Sequence, residues 1–216
     1  NFFFSNTNSG IRQHLWATDG SAAGTELLFG PDRRAEPELQ PGQAAALSRG
    51  LVFPVTDFSR YSLWVSDGTS AGTVQLAVVG DYPYERPTNV VVMGDRAFFN
   101  VYDLATQSAR LWSTDGTSAG THEVAGLAEG SLEAATATHV FLVTQSAGAA
   151  RLWATDGNSG ALEVASFRAY APFGRNWLKA FGGRLYFLAE DNRAGGLDLW
   201  ASHGTVMHAP VFSFGT

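Results

Sequence analysis

Four carboxylates sit where they could do chemistry. Asp57, Asp103, Glu190 and Asp191 each come just after an apolar run: LVFPVT, AFFNVY or LYFLA. Two carboxyl groups held in different environments are the minimum for cleaving a glycosidic bond. The five histidines, His14, His122, His139, His203 and His208, show no order relative to a serine and an aspartate, so no acyl-transfer triad is suggested. No Gly-rich phosphate loop or metal-ligand spacing occurs, and no cofactor is expected. With no cysteine there is neither a disulfide framework nor a thiolate metal site.

A second set of residues suits binding. The segment VVGDYPYERPTN carries Tyr82, Tyr84, Glu85 and Arg86, and the segment FRAYAPFGRNW carries Arg168, Tyr170, Phe173, Arg175 and Trp177. Tyrosine, tryptophan and arginine dominate interface hot spots. The competing reading of Trp177, Tyr82 and Tyr84 is that they plug their loops onto the strands beneath.

The elements that would position these residues come from one recurring phrase. It reads LWATDGSAAGT, LWVSDGTSAGT, LWSTDGTSAGT, LWATDGNSGA and LWASHGT, with tryptophans at Trp16, Trp64, Trp112, Trp153 and Trp200. Their spacings are 48, 48, 41 and 47 residues. Periods of this size mark repeat architectures. The clearest repeat predicts strands over 88–93, 96–102, 109–114 and 121–125, with turns at Gly94-Asp95 and Asp115-Gly116. Four antiparallel strands in about 45 residues describe one propeller blade. The expected fold is therefore all-β: a single domain over 1–216, a five-bladed β-propeller with four antiparallel strands per blade. The first repeat opens directly on FFFS, a second-strand sequence, and the C-terminal PVFSFGT resembles a first strand. The expectation is that this C-terminal strand joins the first blade and closes the ring. The rival is a segment of a longer array. The outer strand of the fifth blade is expected somewhere in 205–210.

Within the phrase, each tryptophan is read as packing between blades, where it can bury on the order of 150–250 Å². Stacking on sugars is the alternative. Asp19, Asp67, Asp115 and Asp156, each followed by glycine, read as turn residues. Threonines 25, 73 and 121 would close the turn with their hydroxyls. Calcium binding is the weaker rival, because known calcium loops need several alternating carboxylates.

The phrase LW-x-[ST]-DGT-x-AGT resembles the ELWxxDGT repeat of bacterial, often myxobacterial, exported proteins, here in five copies along the chain. The usual glutamate before leucine is replaced by His14, Ser62, Arg110, Arg151 and Asp198. The resemblance implies a secreted or cell-surface bacterial protein and carries no agreed activity. The loop is also similar to the Asp-box of sialidase-type propellers, although aspartate and glycine are adjacent here.

Net charge of −6 and the lack of a basic stripe argue against nucleic acid. No apolar run is long enough to span a membrane as a helix. The chain begins without methionine, as a processed or trimmed chain would. The innermost strands are read as AAAL, NVVV, ATAT, LKAF and PVFS, with no acid among them, so no enzymatic activity is expected. The leading expectation is a non-catalytic module that binds a protein or carbohydrate partner through the divergent loops between blades. The alternatives are a multivalent lectin and a five-bladed glycoside hydrolase.

Overall fold

A computed structural model describes residues 2–8, 12–29, 36–37, 43–128, 130–146, 148–158, 160–168, 178–190, 197–207 and 209–213. Among these there is no helix. Alternating apolar residues and Gly-bearing turns give twenty short strands in five successive antiparallel sheets.

The first sheet is β1 (Phe2–Asn8), β2 (Arg12–Thr18) and β3 (Glu26–Phe29). The second holds β4 (Glu36–Pro37), β5 (Ala45–Leu47), β6 (Gly50–Thr56), β7 (Arg60–Ser66) and β8 (Val74–Asp81). Both β4 and β5 pair with β6, at opposite ends, so together they fill one strand position. The third is β9 (Glu85–Met93), β10 (Arg96–Asp103), β11 (Ser108–Thr114) and β12 (His122–Ala128). The fourth is β13 (Ser131–Ala135), β14 (Val140–Ser146), β15 (Ala149–Thr155) and β16 (Leu162–Arg168). The fifth is β17 (Lys179–Phe181), β18 (Arg184–Glu190), β19 (Leu197–Ser202) and β20 (Phe212–Ser213). Each of the last three sheets is a four-stranded meander, the unit from which propeller blades are made.

Three details correct the sequence reading. Phe212 and Ser213 do not join the first sheet. They pair with Leu199 and Asp198 as the outer strand of the fifth, and the first sheet has three strands among the described residues. Among its described residues, the segment expected to form that outer strand, 205–210, forms none: the Met207 N–H donates to the Val164 carbonyl of β16 at 3.0 Å, and the ladder begins at Val211, whose N–H reaches Leu199. The inner strand of the fourth sheet is SLEAA rather than ATAT. It carries an acid, Glu133, at a β-bulge between Leu132 and Ala134.

The chain forms two compact units. One comprises Asn1–Val90, Asp95–Ser108 and Trp112–Glu123, the other Val91–Gly94, Ala109–Leu111 and Val124–Thr216. In the first unit, β6 shows why both faces of a strand can be apolar. Phe53 and Val55 pack with Leu15, Ala17 and Leu28 of the first sheet, while Val52 on the other face packs with Phe99 and Val101 of the third. Trp64 lies against the first of these clusters and Trp112 against the second, its ring stacked on Phe99 at 6.3 Å. In the second unit, Phe141, Leu152 and Phe167 pack with Leu185, Phe187 and the buried Trp200.

Candidate functional site

In an antiparallel meander the turns between strands one and two and between strands three and four share one end of the sheet. The turn between strands two and three, and the link to the next sheet, share the other. The two ends of the sheets differ in character.

The first end is built from the repeated phrase. At Asp115 the carboxylate Oδ1 accepts the Thr117 N–H at 2.9 Å and the Thr117 hydroxyl at 2.7 Å, and the Gly120 N–H donates to that hydroxyl oxygen at 3.0 Å. A directed relay runs beside it. The Thr121 hydroxyl donates to the Thr117 carbonyl at 2.6 Å, so its oxygen must accept from Thr114 at 2.7 Å, and Thr114 in turn accepts the Gly116 N–H at 3.1 Å. The same bonds recur around Asp67, through Ser66, Thr69 and Thr73. They recur again around Asp19, through Thr18, Ser21 and Thr25. These bonds hold the carboxyls below the ordinary aspartate range: at Asp115 and Asp67 chiefly the hydroxyl of Thr117 or Thr69, at Asp19 chiefly the Ser21 N–H. Each carboxylate is used by its own turn, and among the described residues no group of three His, Cys, Asp or Glu is placed to hold a metal.

The fourth and fifth copies are reduced. Around Asp156 the bonds from Gly157 to Thr155 and from Asn158 to Asp156 persist, but the turn is one residue shorter and Ala161 replaces the second threonine. In the fifth copy the exposed His203 replaces aspartate, and among the described residues the Gly204 N–H to Ser202 hydroxyl bond is the one that repeats. This end also makes seams between sheets. Ser48 bonds the Asp95 carboxylate, whose pKa is lowered by that hydroxyl first, and the Arg49 side chain lies over Gly116. His139 lies over Gly204 in the same way.

The other end carries the divergent loops. The Tyr82 N–H donates to the Ser59 carbonyl at 3.0 Å, and the Leu104 N–H to the Tyr84 carbonyl at 2.9 Å, so three loops are tied through their main chains. Within them Tyr82 is half-buried, tilted against Tyr61 at 5.6 Å and edge-on to Phe58 at 5.7 Å. Tyr84 is 60% exposed, Phe58 54% and Leu104 57%. Glu85 and Arg86 begin β9 rather than lying in a free loop. Glu85 accepts the Asp81 N–H at 2.9 Å and closes the hairpin. Phe58 and Leu104 were absent from the sequence candidates. Their only signal was an apolar residue inside a polar turn, in DFSR and DLATQ.

The remaining candidates each have local surroundings of their own. Arg168 ends β16 opposite Ala149. Tyr170, Phe173, Arg175, Trp177 and Asp191 lie outside the described residues. Glu190 ends β18 opposite Leu197. Asp57 Oδ1 accepts the N–H groups of Ser59 and Arg60, and Asp103 Oδ1 those of Ala105 and Thr106, so each caps its own turn. Among the tryptophans, Trp153 Nε1 donates to Thr144 and Trp200 Nε1 to the Ala189 carbonyl.

No family model matches this chain, and no curated protein matches it by sequence. Solved structures similar to it include oligopeptidase B from Leishmania major, at 12% identity and a TM-score of 0.56 over 94% of this chain and 31% of that one. An acylaminoacyl peptidase from Pyrococcus horikoshii shares 12% identity at 0.44, over 96% and 36%. A GH43_1 enzyme from Xanthomonas citri shares 13% at 0.34, over 78% and 70%. The chain thus spans about a third of the length of either peptidase. At these identities the likeness is one of fold, and only the first superposition is close enough to carry it.

Proposed function

We propose that this chain is a non-catalytic recognition module, a five-bladed β-propeller of the ELWxxDGT-repeat kind, which binds a protein or carbohydrate through its divergent loops. The observation that carries the reading is the loop end of the second and third sheets. Tyr84 stands 60% exposed on a hairpin whose main chain is tied to the neighbouring loop. An exposed aromatic on a rigid support loses little entropy on binding. Export to the surface of a bacterium is part of the proposal and rests on the repeat resemblance. Nucleic acid and membrane insertion form no part of it. The net charge is −6, and among the described residues no helix is long and apolar enough to cross a membrane.

The bonds already described weigh against the two alternatives. A lectin using the repeated tryptophans would need indoles open to a sugar, and Trp200 is buried while Trp64 and Trp112 lie half-buried against core clusters. A hydrolase using Asp57, Asp103 and Glu190 would take two carboxylates, Asp57 and Asp103, that already accept two main-chain N–H groups each. Probing labelled protein on glycan and peptide arrays tests the proposal. Tyr84→Ala with Arg86→Ala should weaken any captured ligand by at least about tenfold while the melting temperature holds. Equal capture by the double variant would reject this face.

A further inference from the structure

The geometry points to a definite occupant for this loop end: an apolar side chain of a partner polypeptide, flanked there by lysine or arginine, seated on Phe58, Tyr84 and Leu104. The inference rests on the binding reading above and specifies its ligand.

Phe58 is the residue that singles the place out. Its φ is +63°, a left-handed conformation that glycine and asparagine adopt readily and a bulky aromatic does not. The turn enforces it. Asp57 Oδ1 takes the Ser59 and Arg60 N–H groups at 2.8 Å each, and the Phe58 N–H donates to Thr56 Oγ1 at 3.1 Å. Despite this, more than half of Phe58 stays exposed, with the Tyr82 ring edge-on against it. An exposed ring held in a strained turn contributes little to folding, and that is the ground for assigning it a contact role.

The chemistry of the platform selects a polypeptide over a sugar. Leu104 is aliphatic and offers no face for stacking. Asp57, Asp103 and Glu85 each already spend one carboxylate oxygen on main-chain N–H groups, which leaves them fewer acceptor sites for orienting sugar hydroxyls. Charge then selects the flanks. The three loops and their strand ends carry four carboxylates, Asp57, Asp81, Glu85 and Asp103, against two guanidiniums, Arg60 and Arg86, a net of −2. An apolar anchor between cations complements that field, and one between anions does not.

The test is an NMR titration of the isotope-labelled chain with three probes: the peptide Ac-KKWKK-amide, its counterpart Ac-EEWEE-amide, and xylohexaose. The lysine peptide should shift the amides of 57–60, 81–86 and 103–107. Raising NaCl from about 20 to about 300 mM should weaken it at least threefold or so. Phe58→Asn, which suits the left-handed turn, and Leu104→Ser should each cut its affinity at least about fivefold with folded spectra retained. Equal or stronger shifts with the glutamate peptide overturn the proposal. Shifts in these loops with xylohexaose alone overturn the polypeptide occupant and leave the binding face standing. No shift there with any probe removes both.

Discussion

The Asp115 carboxylate lies over the Cα of Gly120, so close that a Cβ there would overlap its Oδ1 and Cγ. The same holds for Asp67 over Gly72 and Asp19 over Gly24. The glycine of the AGT triplet is thus required by space rather than by its backbone angle.

Gly120→Ala should therefore destabilise the protein by about 1–3 kcal/mol, lowering the melting temperature by several degrees. Gly160→Ala in the shortened fourth turn is the contrast. A Cβ there meets nothing within 4 Å, so stability should hold or rise by about 0.5 kcal/mol. Thermal melts of the two variants check this, and equal losses would contradict it.

The hydroxyl relay gives a second expectation. Thr121→Val strands the Thr114 hydroxyl and the Thr117 carbonyl at a buried site, at a cost of about 1–3 kcal/mol. Thr25→Val removes the corresponding bond in a more exposed turn and should cost less, because water can replace the lost partner. Chemical denaturation of both variants ranks them.

Acid should loosen these turns in a defined direction. The carboxyls of Asp19, Asp67 and Asp115 titrate below the 3.8 of a free side chain. The stability each lends is complete above that value and is lost as pH falls through the folded-state value. The melting temperature should stay level down to about pH 5 as far as these groups are concerned, then fall. The triple variant Asp19→Asn, Asp67→Asn and Asp115→Asn keeps an accepting oxygen without the titration. Its acid limb should be shallower in a pH series of melts.

Tryptophans at the same repeat position should differ. Trp200 is buried and its Nε1 bonds Ala189, whereas Trp112 is half-buried and its Nε1 finds no acceptor among the described residues. Trp200→Phe should cost at least about 1 kcal/mol more than Trp112→Phe, since only the first also leaves a carbonyl without its donor. Urea denaturation of the pair decides it.

The strand-and-turn plan was legible in the sequence because local chemistry sets it. Strands expected at 96–102 and 109–114 form as β10 and β11 within a residue, bounded by Asp-Gly and Gly-Asp turns. What escaped depends on contacts distant in sequence. PVFSFGT is as good an inner strand as an outer one. The place of Phe212 and Ser213 follows from the contact in which Met207 bonds Val164, a residue 43 positions earlier. The acid on the fourth inner strand was missed because SLEAA has no β-branched run, and its bulge at Glu133 breaks the alternation. At the candidate site, Tyr82 and Tyr84 look alike in sequence, yet one faces Tyr61 and the other faces water. Phe58 left only a faint trace, an apolar residue in a polar turn, because its exposure follows from a left-handed turn set by Asp57.

The relay also bears on how the molecule ages. Asp-Gly is the dipeptide at which a backbone nitrogen most readily attacks the preceding carboxyl, expelling water to form a succinimide that reopens largely as isoaspartate. This chain has four such dipeptides, at Asp19, Asp67, Asp115 and Asp156. In every one the glycine N–H is committed to the hydroxyl just before the aspartate, at 3.0–3.2 Å. The carboxyl is held on the residue two further along. Nucleophile and electrophile are tethered to different partners, so the turns that shape the sheets also slow their own chemical decay.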